Sequence, residues 1–236
     1  MEQVETLAGT QSAPGRPFTD PAYTAADLVA IRVMAEALRR ALDTLPGGHR
    51  PVTLQLPDVE GRPHRTVVTD DRRLRTTHDL PFVGFFAQRR TGLEFGPLDA
   101  VDTELILEFP RHPGILSYSS LELPVGNWGN LIILDAPDAA DDWRTSAKHA
   151  HAAAELAPRF YRSVRLHTGR FARGLASAAL PVLMRTKYYD FQESPPWMGS
   201  GCRTRGTRRT HRTNRCFRTL SPNEARCSDD RRQQDP

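Results

Sequence analysis

The chain of 236 residues is long enough to bury a hydrophobic core, and its content of 39% hydrophobic and 25% charged residues is typical of a globular protein. No apolar run reaches the roughly 20 residues of a membrane-spanning helix, and the most apolar stretch, 174–184, is interrupted by Pro181. The N-terminus is polar and acidic, unlike a signal peptide. These features predict a soluble cytoplasmic protein without a membrane partner.

The net charge of +4 is unevenly distributed. Residues 199–236 contain ten Arg and four acidic residues, a net +6, so the rest of the chain carries −2. That remainder lacks the basic surface that binds nucleic-acid phosphates, and no specific nucleic-acid partner is expected. The three cysteines lie in the same C-terminal segment, which excludes cysteine-bound metal and thiol catalysis elsewhere; no metal site is predicted.

The first third of the chain predicts an arm followed by a small subdomain. Residues 1–23 are rich in Gly, Pro and Thr without any period, which indicates a flexible arm. Residues 24–79 predict a helix and a β-hairpin. Apolar residues recur at helical spacing from Leu28 to Leu45, and a turn-like segment then separates two short alternating stretches.

The central part of the chain predicts an α+β fold. Residues 82–167 have the order β-α-β-β-α-β of a ferredoxin-like unit, in which both helices cover one face of the sheet. The strands are predicted at 81–89, 115–123, 127–134 and 159–167, and the helices at 97–110 and 138–156. We assign 80–193 to this domain and its C-terminal arm. We expect the other sheet face to pack on a second subunit, so that a homodimer closes an α/β barrel.

Residues 194–236 differ in character from the rest of the chain. They contain almost no aliphatic residues and no period, which predicts a disordered Arg-rich tail. A GC-rich gene translated in a shifted frame would give such a sequence, and a natural low-complexity extension is the alternative.

The strand pattern suggests one group of candidate catalytic residues. Tyr161, Arg165 and His167 alternate along the last strand, and Tyr118 lies on the first strand of the central hairpin. Histidine titrates near neutral pH, and tyrosine and arginine can bind an enolate or a phenolate. These four residues suit proton abstraction from, or oxygenation of, an activated aromatic compound without a metal. The alternative is structural: Arg165 pairs with Glu122 and the tyrosines fill an interface.

The second predicted helix and the hairpin supply candidate ligand-binding residues. His149 and His151 point about 200° apart on a helix and cannot chelate one ion together, but either could be an axial haem ligand. The alternative is that both are solvated. Trp128 and Asn130 begin a strand where Trp128 could cover a substrate, with core packing as its alternative role. No nucleophile elbow, phosphate-binding loop or zinc-protease motif occurs.

Three stretches carry a family resemblance. The run 114–134, the W-x-x-S-x-x-H pattern that ends at His149, and RFYRSVRLHTG (159–169) resemble the dimeric α/β-barrel superfamily. Its members include antibiotic-biosynthesis-type monooxygenases, haem-degrading oxygenases, chlorite-dismutase-like proteins and aldoxime dehydratases. The resemblance covers residues 80–170.

The resemblance implies a function as well as a fold. It implies a homodimer that binds a small hydrophobic or aromatic molecule, as a monooxygenase-type or a haem-dependent enzyme. In the haem-binding branches, His149 or His151 would be the haem ligand, whereas the other branches use no cofactor. The alternative is a non-catalytic ligand-binding or assembly protein that uses the open sheet face.

Overall fold

Nine strands form one mixed sheet in the computed structural model, which describes residues 4–8, 11–48, 51–56, 61–94, 96–175 and 180–202. All of these residues belong to a single unit, Met1–Thr204. The spatial order of the strands is β1-β9-β8-β7-β4-β6-β5-β3-β2. In chain order the strands are β1 Val4–Ala8, β2 Val52–Gln55, β3 His64–Val68, β4 Leu80–Arg89, β5 Ile115–Leu123, β6 Asn127–Leu134, β7 Tyr161–Phe171, β8 Val182–Asp190 and β9 Trp197–Cys202.

The helices are one long and several short segments. They are α1 Pro21–Thr44, α2 Asp71–Thr76, α3 Gly96–Glu108, α4 Ala139–Arg144, α5 Ala147–His151 and α6 Ala157–Phe160, with a π-helical turn, Ala152–Leu156, between α5 and α6. Single 3-10 turns occupy Pro17–Thr19, Phe109–Arg111 and Pro124–Gly126. No helix in the described ranges is both long and apolar enough to cross a membrane.

Helix α1 covers one face of the sheet. Its start is defined by Asp20, whose side chain accepts a hydrogen bond from the Ala22 backbone N–H at 2.8 Å, and by a proline in the first turn. Its buried apolar side chains pack on inward-facing residues of the central strands: Ile31, Met34, Leu38, Phe82, Phe86, Leu131 and Ile133. The prediction that this face is bare is therefore wrong. The expected homodimer assumes a bare face, and α1 of the same chain covers it instead.

Helices α3 and α4 pack on the opposite face. Their cluster includes Phe109 and Trp143, which meet edge to face with ring centroids 5.9 Å apart, and sheet residues that alternate with those facing α1. The sheet is thus enclosed between α1 on one side and the shorter helices on the other.

The β2–β3 hairpin extends the sheet at one edge, and the terminal strands β1 and β9 extend it at the other. The predicted hairpin is β2–β3, and β3 pairs with β5, so residues 24–79 share the main sheet rather than forming a separate subdomain. Strand β1 pairs in parallel with β9, and Phe18 packs on Tyr188 and Trp197, so the described part of 1–23 belongs to the fold and is not a loose arm. Residues 185–190 of the predicted C-terminal arm lie in β8.

Strand β9 begins inside the segment predicted as a tail, so the boundary at 194 is wrong. The remainder of that prediction, 203–236, lies outside the described residues.

The second predicted helix, 138–156, is divided in the structure. Ser146 interrupts it and caps α5, because its hydroxyl accepts a hydrogen bond from the His149 backbone N–H at 3.2 Å. The π turn then leads into α6, whose first turn holds Pro158, a residue without the N–H that a continuous helix needs.

Candidate ligand-binding cavity

A cavity of about 490 Å³ lies between the sheet and helices α3, α5 and α6. This volume falls within the range of small-molecule binding sites. Six strands, β2 to β7, form the floor, which includes Gln55, Arg65, Val83, Phe85, Arg89, Tyr118, Ser120, Trp128, Asn130, Ile132, Tyr161 and Leu166. Asp102 and Leu105 of α3 and the small residues Ala152, Ala153 and Ala157 around the π turn line the helical side.

Strand register divides the floor into a polar and an apolar half. Arg65 lies opposite Ser120, Ser120 opposite Asn130, Asn130 opposite Phe85, and Phe85 opposite Leu166. Facing residues in neighbouring strands lie side by side on the same sheet face. The row therefore changes from polar on β3, β5 and β6 to apolar on β4 and β7.

A chain of hydrogen bonds runs through the polar half. The Ser120 hydroxyl donates to Asn130 Oδ1 at 3.1 Å, and Asn130 Nδ2 donates to the Tyr118 hydroxyl at 2.8 Å. Tyr118 in turn donates to Asp102 Oδ1 at 2.6 Å, and the other Asp102 oxygen accepts from Arg65. Burial, and then the nearby Asp102 carboxylate, raise the pKa of Tyr118 well above 10.0, so its hydroxyl remains a protonated donor at neutral pH.

The opposite end of the cavity carries Arg89 and Trp128. The Arg89 guanidinium lies 5.5 Å from the centre of the Trp128 ring, a cation–π distance. The Arg89 backbone N–H donates to Asn127 Oδ1 at 3.0 Å, which ties the end of β4 to the start of β6. A basic and an aromatic side chain therefore stand together at this end.

His149 reaches the cavity from α5. Its ring lies against Trp143, with the ring centroids 4.7 Å apart. Burial lowers the pKa of His149 from 6.5, and electrostatic interaction with Arg144 and His112 lowers it further. The imidazole is therefore neutral at pH 7, the form that can bind a metal. His151 is exposed and pairs with Glu155 at 3.2 Å, outside the cavity lining.

Five of the eight residues predicted for the site line this cavity: Tyr118, Tyr161, Trp128, Asn130 and His149. Tyr161 does so through a β-bulge. Gln88 faces Ser163 but Arg89 faces Tyr161, so Arg162 is an extra residue in β7. One extra residue reverses the side to which a strand residue points. The prediction that Tyr161 and Arg165 share one sheet face is therefore wrong.

Arg165 and His167 lie on the other face, under α1. Arg165 donates to both oxygens of Asp27, from Nε at 2.6 Å and from Nη2 at 2.9 Å. His167 Nε2 donates to Asp27 Oδ2 at 2.8 Å, and its Nδ1 lies 2.9 Å from the Thr186 hydroxyl. Asp27, not Glu122, is the partner of Arg165, and the four candidate catalytic residues do not form one site.

Sequence reasoning missed several cavity residues. Arg65 and Asp102 belong to a hairpin and a helix whose relative placement no local pattern gives. Arg89 is the last residue of the strand predicted at 81–89, where no motif marked it as a site residue. Among the described residues, no group of three or more His, Cys, Asp or Glu could hold a metal ion.

Comparison with known proteins does not assign this chain to a family. No family model matches the chain, and no curated protein matches it. The crystal structure of protein SO0527 from Shewanella oneidensis is similar over 39% of this chain and 90% of that chain, with 17% sequence identity and a TM-score of 0.35. A likeness this weak carries no argument about fold or function.

Proposed function

We propose that this protein binds a small, mainly apolar molecule in the cavity between the sheet and α3, α5 and α6. The single observation that carries the proposal is the combination of a cavity of about 490 Å³ with an apolar half and a convergent polar half. Ligand sites are typically apolar clefts in which a few placed polar groups fix the ligand's orientation.

The lining indicates how such a ligand would lie. Its apolar part would rest on Phe85, Leu166 and Ile132, where contact with the floor removes apolar surface from water. A hydrogen-bond acceptor on the ligand would face Asn130, whose amide gives one N–H to Tyr118 and has a second to offer.

We also infer that residues 80–171 form a ferredoxin-like unit. The strand order β7-β4-β6-β5, with every pairing antiparallel, supports this inference. So does the packing of α3 and α4 on one sheet face. The cavity would then lie between the sheet and the helices of that unit.

A neutral aromatic fluorophore, N-phenylnaphthylamine, tests the proposed function. Trp128 and Trp143 line the cavity, so energy transfer from tryptophan would report a bound probe. We expect saturable binding that Ala153→Phe weakens by about tenfold or more, because the new ring occupies ligand space (a loss of about 1.4 kcal/mol). Ala154→Phe is the matched control, since Ala154 is the exposed next residue of the same turn and does not line the cavity.

Two results would contradict the proposal. The first is the absence of saturable binding by the native chain. The second is an equal loss of affinity in both phenylalanine variants, because only the residue at 153 faces the ligand space.

A second candidate function is haem binding, and the neutral, cavity-lining His149 is the observation that favours it. The site residues fit the group: His149 could be the axial ligand, the apolar half of the floor could contact the macrocycle, and Arg65 or Arg89 could face the propionates. Haem bound there would supply the redox chemistry. His149 would hold the iron, and the floor would exclude water from it.

Titration with haemin tests this candidate. We expect a Soret band that His149→Ala shifts or abolishes and that His151→Ala leaves unchanged, because His151 is exposed outside the cavity lining. The absence of a band, or the same band in all three proteins, would exclude His149 as a haem ligand.

A further inference from the structure

We propose that the ε-amine of Lys187 is a nucleophile that forms an imine with an aldehyde or a ketone bound in the cavity. This inference rests on the proposed small-molecule function and specifies the chemical class of the ligand. It is carried by the place of Lys187 in the sheet, by the charges around its amine and by the scarcity of lysine in the chain.

Lys187 extends the row of residues that crosses the cavity floor. It lies opposite Leu166, Leu166 lies opposite Phe85, and Phe85 lies opposite Asn130. Facing residues stand side by side on one sheet face, and neighbouring strands are about 4.8 Å apart, so the backbones of Asn130 and Lys187 are separated by about 14 Å. A flat ligand body on Phe85 and Leu166 therefore has an amide at one end and an amine at the other.

The amine of Lys187 also lies near α4, which borders the same cavity. Its charge interacts with Arg144 and Asp141 of that helix, and Trp143, between them in the sequence, lines the cavity. The Lys187 side chain is partly exposed. Lys187 thus stands at the edge of the cavity, with Leu166 beside it on the sheet and α4 on the helical side, where a ligand can reach its amine.

The surroundings of Lys187 favour the uncharged amine. Burial lowers the pKa of Lys187 from 10.5, and electrostatic interaction with Arg185 and Arg144 lowers it further, against a smaller opposing effect of Asp141. Among the described residues, no carboxylate forms an ion pair with this amine. Only the uncharged amine has a lone pair that can attack a carbonyl carbon, and a partly desolvated lysine beside another cation is a typical imine-forming nucleophile.

Lysine is rare in this chain, and its two occurrences differ in environment. The sequence contains 30 Arg and two Lys, Lys148 and Lys187. The Lys148 amine has a carboxylate partner, Glu104, at 3.0 Å, whereas the Lys187 amine has arginine neighbours. Arginine supplies positive charge but stays protonated and cannot form an imine. Position 187 therefore carries a reactive group that the arginines of the chain do not provide.

Imine formation balances without an oxidant or a further reactant. The lone pair of the Lys187 nitrogen attacks the carbonyl carbon, a C–N bond forms, and an electron pair of the C=O bond moves to the oxygen. The two hydrogens of the amine and this oxygen then leave as water, and a C=N bond remains. The apolar body of the ligand, held on Leu166 and Phe85, would orient the carbonyl towards the amine.

Reductive trapping of an aromatic aldehyde tests the inference. The native chain is mixed with 2-naphthaldehyde and sodium cyanoborohydride at about pH 7.5, and peptide mass spectrometry locates the secondary amines that form. We expect Lys187 to be labelled about tenfold faster than Lys148. N-phenylnaphthylamine, which competes for the cavity, should slow only the labelling of Lys187. In urea the two lysines should react at equal rates, because unfolding removes the environments that distinguish them.

Two pairs of variants assign the labelled position. Lys187→Arg keeps the charge and removes the primary amine, so the fast labelling should disappear, whereas the control Lys148→Arg should retain it. Ala153→Phe narrows the cavity and should slow the labelling of Lys187 about fivefold or more, whereas Ala154→Phe, at the exposed next residue, should not. The second pair leaves Lys187 in place, so the test stands even if Lys187→Arg fails to fold.

The outcomes separate this inference from the proposed function. Equal labelling of the two lysines, or none, in a native chain that binds N-phenylnaphthylamine overturns the imine proposal and leaves the cavity as a non-covalent site. Fast labelling of Lys187 that neither N-phenylnaphthylamine nor Ala153→Phe slows also overturns it, because the amine would then react outside the cavity. Failure of the native chain to bind N-phenylnaphthylamine overturns the proposed function, and the imine proposal with it.

Discussion

At the scale of single residues, His149 and His151 show how two neighbouring histidines of one sequence pattern acquire different chemistry. His149 faces the cavity and packs on Trp143, whereas His151 is exposed beside Glu155. Helical spacing alone predicts that they point apart. Which of them is buried depends on where α3 and the sheet lie, and that information is not local to the helix.

Burial of His149 makes a pH-dependent contribution to stability. The folded protein holds the pKa of His149 below 6.5, chiefly through burial, whereas the unfolded chain binds a proton near the ordinary value of 6.5. The unfolded state therefore takes up more protons as the pH falls through this window, and the free energy of unfolding decreases. Well above pH 6.5 both states are neutral and this loss is absent.

We predict that His149→Gln reduces the loss of stability on acidification. The measurement is urea unfolding at about pH 7.5 and about pH 5, on either side of the ordinary pKa. His151→Gln is the control and should lose as much stability as the native chain between the two pH values. If His149→Gln also loses as much as the native chain, the buried imidazole does not cause the effect.

At the scale of secondary-structure elements, the local sequence pattern was sufficient to predict the bounds of strands in which apolar and polar residues alternate regularly. The observed bounds of β5 and β6, Ile115–Leu123 and Asn127–Leu134, coincide with the predicted segments. The helix was predicted within residues 24–79, with Thr24 as its N-cap, but α1 begins at Pro21, because Asp20 supplies the cap. The periodicity of an element can be read from its own residues, and its ends depend on which of several polar residues is used as the cap.

The irregular elements could not be predicted in the same way. The bulge at Arg162 and the π turn Ala152–Leu156 have no distinctive sequence, because alanine-rich and alternating segments are equally compatible with regular structure. Both irregularities border the cavity, where they turn Tyr161 towards the ligand space and place small side chains along its wall. The cavity residues on β5 and β6 were therefore predictable from alternation, whereas the positions of Tyr161 and of the alanine wall depended on these two features.

At the scale of the whole molecule, contacts between distant parts of the chain determine which faces of the sheet are covered. Residues 82–167 alone would leave one face of the sheet exposed. Helix α1, which precedes them in the chain, covers that face. Its approach requires Gly84, where a Cβ atom would lie 2.9 Å from Cδ1 of Ile31. Asp27 connects α1 to Arg165 across 138 positions of sequence. No pattern within either segment indicates that pairing.

The Asp27 cluster gives a prediction for this packing. Asp27 is 4% exposed and Arg165 is 5% exposed, so loss of the carboxylate would leave a guanidinium buried without its counter-charge. We predict that Asp27→Asn lowers the free energy of unfolding by about 3–5 kcal/mol, measured by urea denaturation at neutral pH. Asp43→Asn, at an exposed position of the same helix, should change it by less than about 0.5 kcal/mol.

A double variant distinguishes a lost ion pair from a general weakening of α1. When Arg165 is also replaced, in Asp27→Asn/Arg165→Met, no guanidinium remains buried, and the combined loss should be smaller than the sum of the two single losses. Additive losses would mean that Asp27 and Arg165 stabilise the fold independently. In that case the apolar contacts of Ile31, Met34 and Leu38, rather than the Asp27–Arg165 pair, would account for the attachment of α1 to the sheet.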